Sequence, residues 1–156
     1  MKHNKGNTIY RQHFRIAVGY FVIAALLGVL LRSYPIFSLG FNYRHMVHAH
    51  SHIALLGWVY VALTTLLHYC FVRKEASNKR YQWVFGVTQF TLIGMLLTFP
   101  FQGYGLYSII FSTLFLLVSY AYTHHFWSNI DAKIQNSKGV KCIKAALVYM
   151  VISSLG

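Results

Sequence analysis

From Tyr81 to Ile130 the sequence contains no charged side chain, and from His45 to Val72 there is again none. Uninterrupted runs of that length would have to be buried on every side in water, and a chain of 156 residues has too little interior to hide them. Composition closes the remaining soluble options. Apolar residues make up 56% and charged residues 10%, with Asp and Glu together numbering two, so a solvated mixed-charge surface cannot be built. Disorder requires low hydrophobicity, and a coiled coil requires abundant Glu and Lys. The chain is expected to be all-α, a polytopic transmembrane helical bundle whose first partner is the lipid bilayer.

A crossing needs roughly 20 apolar residues. Four segments satisfy this, at about residues 14–34, 46–72, 82–101 and 104–127. The first lies between Arg15 and Arg32, which can extend outward, and Pro35 ends it. The third and fourth are divided by Pro100, Gly103 and Gly105 and read as a helical hairpin. A fifth run, 142–156, is too short to cross. It predicts four complete spans plus the start of a fifth, with Gly156 interrupting a helix and the chain forming the truncated N-terminal portion of a larger single membrane domain.

Basic residues fix the expected orientation. Twelve of the 14 Lys and Arg lie in the N-terminal tail, at 73–80 and at 133–144, which an N-inside threading places on one side. Only Arg32 and Arg44 fall on the other. This bias predicts a cytoplasmic N-terminus. The same distribution accounts for the formal charge of +12 without a nucleic-acid partner, since the basic residues flank apolar runs rather than share a soluble face. No small-x-small cleavage site follows the tail, so the first helix reads as uncleaved. Cys70 and Cys142 both fall near inner ends, where no disulfide is expected.

The strongest chemical signal is the cluster His45, His48, His50 and His52 at the outer entry of the second span. At about 100° per residue, positions 45, 48 and 52 fall within an arc of roughly 60°, and position 50 points nearly opposite. A neutral imidazole can ligate iron, copper or zinc, and ionisable residues inside membranes are usually functional. A lone interfacial histidine more often just bonds water, headgroups or a neighbouring helix, and that reading is taken for His68, His124 and His125. A di-iron hydroxylase is excluded because the His124–His125 pair and the outer cluster lie a hydrocarbon thickness apart. A zinc peptidase is excluded because Glu75, the sole glutamate, lies in a loop and forms no HExxH motif.

The run His50-Ser51-His52-Ile53-Ala54-Leu55-Leu56-Gly57-Trp58 resembles the H-x-H-x-x-L-L-G-W segment in divergent members of the heme-copper oxidase subunit I superfamily, which includes nitric oxide reductases. The resemblance covers the four spans and the start of the fifth. It implies a membrane of the bacterial inner-membrane type and a respiratory-type oxidoreductase that passes electrons through a low-spin heme. In that family the second helix, entering from the outer side, carries an axial histidine of that heme. Within the resemblance His52 is the ligand to the heme iron and His50 the register alternative. His48, a turn above His52, would orient the ligand or donate to a propionate, while His45 is expected in water. Gly57 and Ala54 would allow close approach of a helix or macrocycle, and Trp58 and Tyr60 read as packing residues.

The resemblance also implies what is missing. The family's copper ligands, the proximal ligand of its high-spin heme and the second ligand of the low-spin heme come from later helices, so the copper site and the catalytic centre are not in this chain. The remaining helices of a full-length protein or a partner subunit would supply them. Two other readings stay open: a small NnrS-like membrane heme- or copper-binding protein, and a non-catalytic interaction module.

Overall fold

The computed structural model describes residues 2–37, 40–72 and 78–153, with side chains for 8–37, 40–72 and 79–153. Glu75 and the chain's end at Gly156 lie outside the described residues, as do the side chains of Lys2 and Lys5. Every regular element among the described residues is helical. Helix α1 is Lys2–Ser33. The second span, Tyr43–Phe71, is one continuous rod with three parts: α2 (Tyr43–His52), a π-helical segment (Ile53–Tyr60) and α3 (Val61–Phe71). Then come α4 (Asn78–Gln102), α5 (Leu106–Asn129) and α6 (Lys138–Ser153).

Four helices are long and apolar enough to cross a membrane: Thr8–Ser33, Tyr43–Phe71, Lys79–Gln102 and Leu106–Asn129. A backbone in hydrocarbon must satisfy its own hydrogen bonds, which is why these runs are helical. Their outward faces are apolar too. Leu26, Trp83 and Phe101 are each about two-thirds exposed or more, which water would oppose and lipid accepts. Helix α6 has sixteen residues, about 24 Å at 1.5 Å per residue, and is not among the four.

Local chemistry sets the turns. Asn42 caps α2, its Oδ1 accepting from the His45 N–H at 3.3 Å. The α4–α5 hairpin turns at Gly103, whose φ of 57° is left-handed, and its N–H closes onto the Phe99 carbonyl at 2.9 Å. Ser108 donates to the Gly103 carbonyl and seals the turn from the other side. Pro100 is inside α4 and does not end it.

The spans alternate in direction, so α1 begins where α3 ends and where α5 finishes. That end holds Arg11, Arg15, Arg80 and the 133–144 lysines and is called the basic end below. Two apolar clusters bind the helices together. One, with Ala17, Ala24, Ile53, Leu92 and Phe99, joins α1, the second span and α4. The other, with Val72, Tyr81, Tyr122, Phe126 and Val140, lies at the basic end and attaches α6.

Candidate functional site

The π-helical segment begins directly after His52. Such geometry occurs mostly as short bulges, often at functional sites, because it displaces backbone carbonyls from their usual partners. Side chains take up both ends here. The His48 carbonyl accepts from Ser51 Oγ at 3.1 Å and from His52 Nδ1 at 2.8 Å, while the Tyr60 carbonyl accepts from Thr64 Oγ1 at 2.7 Å. Within the segment Gly57 faces Tyr20 of α1, and a Cβ there would lie 2.9 Å from the tyrosine ring. The space at Gly57 is therefore filled by a neighbouring helix. Trp58 packs against Phe14 and Phe21, as its sequence context suggested.

His48 and His52 share one side of α2. Both face the α4–α5 turn, His52 with its ring centroid 4.4 Å from Phe99 and His48 4.5 Å from Tyr104. His50 points the other way, toward α1, where its Nδ1 donates to the Ala24 carbonyl at 2.9 Å. Gly28 makes room for it, since a Cβ at that position would come 3.1 Å from the imidazole. His45 departs from expectation. It is half-buried against Gly103, with Nδ1 enclosed and unpaired, because the hairpin turn folds over it.

A carbonyl can only accept, so the 2.8 Å bond places a proton on His52 Nδ1 and leaves the lone pair on Nε2. This is the arrangement in which a ligating histidine is normally held. His52 also lines an open groove of about 470 Å³ with Leu56, Tyr60, Phe115, Leu116 and Met150. His50 has the same tautomer but sits in the α1 interface. Among the described residues no three of His, Cys, Asp and Glu come together closely enough to hold a metal ion. A bare ion would need such a set, whereas a heme brings four equatorial nitrogens and asks the protein for one or two axial groups. His52 presents one imidazole beside the groove.

A second polar cluster occupies the basic end, where the sequence suggested ordinary interfacial histidines. His68 and His125 are buried, with their Nε2 atoms 3.4 Å apart and their rings parallel. Tyr10 Oη meets His68 Nδ1 at 2.9 Å, and Asn129 Nδ2 lies 3.3 Å from His125 Nδ1. Tyr81 stacks on His68 at 3.7 Å and meets buried His13 through its hydroxyl at 3.3 Å. Reading the sequence missed this group, because its members come from α1, α3, α4 and α5. The available signal was the number of histidines and tyrosines at the same ends of successive spans. His124 is exposed and stays outside it.

No protein-family model, curated protein or solved structure matches the chain.

Proposed function

We propose that the chain is the heme-binding part of a respiratory-type membrane oxidoreductase, with His52 as one axial ligand of a low-spin heme through Nε2. The observation that carries this reading is the bond from His52 Nδ1 to the His48 carbonyl, which fixes the tautomer and aims a single imidazole beside the groove. Bound there, the heme would supply one-electron transfer. The residues of this chain hold the imidazole in place, with Phe99 and Tyr104 limiting its rotation. The second axial ligand and any copper belong to further helices of the full-length protein or to a partner subunit. The proposed setting is a bacterial-type inner membrane with the N-terminus cytoplasmic, a reading supported by the basic residues gathered at one end, and it would put His52 in the outer half.

The test is the reduced-minus-oxidised optical spectrum of the full-length protein in its membrane. His52→Ala should abolish the low-spin heme signal, and His50→Ala should retain it. Loss with His50→Ala alone would move the cofactor to the α1 side, and retention in both variants would end the heme assignment. Reporter fusions at Ile134 should report cytoplasm. A periplasmic signal there would reverse the orientation.

A further inference from the structure

A groove of about 830 Å³ runs between α1 and α3 at the basic end. Arg11 and Arg15, one turn apart on the same face of α1, line it together with Tyr10 and Phe14. Thr65, Leu66 and Tyr69 of α3 complete the wall. Both arginines are exposed, and among the described residues no carboxylate pairs with either. The chain offers almost none: its acids are Glu75 and Asp131, and Asp131 receives the Lys133 N–H. Among the described residues, then, nothing acidic meets the charge of this groove.

The lining specifies the chemistry of what meets it. Two guanidiniums beside hydroxyls favour a phosphate, which accepts paired N–H bonds from each arginine. Phe14 and Leu66, each about half exposed, continue the groove as apolar surface. Its depth is that of a headgroup, since Arg11 lies near the start of the span Thr8–Ser33 and Tyr69 near the end of Tyr43–Phe71. We propose that this groove binds an anionic phospholipid, its phosphate held by Arg11 and Arg15 and its acyl chains along Phe14 and Leu66. Free phosphate would leave the apolar part unused.

The site reaches inward through Tyr10. A phosphate only accepts, so Tyr10 would donate its hydroxyl hydrogen bond to it, and the Tyr10 oxygen would then accept from His68 Nδ1–H. His68 Nε2 is left to accept from His125. Asn129 Nδ2, which can only donate, lies 3.3 Å from His125 Nδ1 and sets the same direction from the other end, so a lipid phosphate at Tyr10 is compatible with the Tyr10–His68–His125 chain as it stands.

The test uses the full-length protein in nanodiscs of phosphatidylcholine with a minority of phosphatidylglycerol, followed by native mass spectrometry. The wild type should retain phosphatidylglycerol selectively. Arg11→Gln with Arg15→Gln should weaken that retention about thirtyfold, as expected for two arginines at a lipid surface. Arg11→Lys with Arg15→Lys should keep most of it. Lys141→Gln with Lys144→Gln, an equal charge loss at the same end, should leave it unchanged. Equal loss in the lysine pair, or no preference over phosphatidylcholine, would overturn the proposal. Displacement of the lipid by inorganic phosphate alone would do so too. Nitrogen-15 spectra of labelled histidine should show His68 protonated at Nδ1, and protonation at Nε2 would mean that Tyr10 donates to His68 and is not available to donate to the phosphate.

Discussion

The Nε2 atoms of His68 and His125 stand 3.4 Å apart, with parallel rings, although 57 positions separate them in the sequence. Two lone pairs at that distance repel, so one nitrogen carries a proton and the other accepts it. The pair is satisfied only as a unit. Removing one ring leaves the other with a buried polar atom and no partner. In a double-mutant cycle, His68→Leu and His125→Leu should therefore couple by about 1 kcal/mol. Unfolding midpoints in detergent measure this, and strictly additive losses would show that the rings do not bond.

His48 holds His52 through its backbone carbonyl rather than its side chain. His48→Ala retains that carbonyl and should keep most of the heme, with a changed environment from loss of the ring against Tyr104. Heme content and the optical spectrum of the variant check this. A loss as complete as that of His52→Ala would mean the His48 imidazole itself ligates or carries a contact beyond orientation.

Gly103 combines a left-handed backbone with contact to the His45 ring. Gly103→Ala should cost about 1–2 kcal/mol from the backbone alone, with a further cost from the blocked ring. Adding His45→Ala should recover the second part and not the first. Thermal unfolding of Gly103→Ala, His45→Ala and the double variant separates the two contributions.

Thr64 Oγ1 occupies the Tyr60 carbonyl at the end of the π-helical segment. Thr64→Val keeps the shape and removes the donor, which should destabilise the protein by about 1 kcal/mol. Thr64→Ser should be close to neutral. Equal behaviour of the two variants in unfolding would show that another group satisfies that carbonyl.

Helical structure throughout the regular elements of the described residues, with four runs able to cross a membrane, was legible from composition and charge spacing. Burying a charge in hydrocarbon is so costly that the spacing of charged residues alone marks the crossings. The sequence alone also determined that His48 and His52 face together and His50 apart, since all three lie in the α-helical turns before the π-helical segment, where a fixed angle per residue applies. That segment itself was decided by tertiary structure. It depends on Tyr20 reaching Gly57 and on which hydroxyls and imidazoles can take the displaced carbonyls. The enclosure of His45 likewise follows from where the α4–α5 turn lands. Packing also brought His13, His68, His125 and Tyr81 together as buried side chains, with half-buried Tyr10 bonded to them from the groove. Each of those residues has unremarkable neighbours in sequence, and only the packing of α1, α3, α4 and α5 brings their polar atoms within bonding distance.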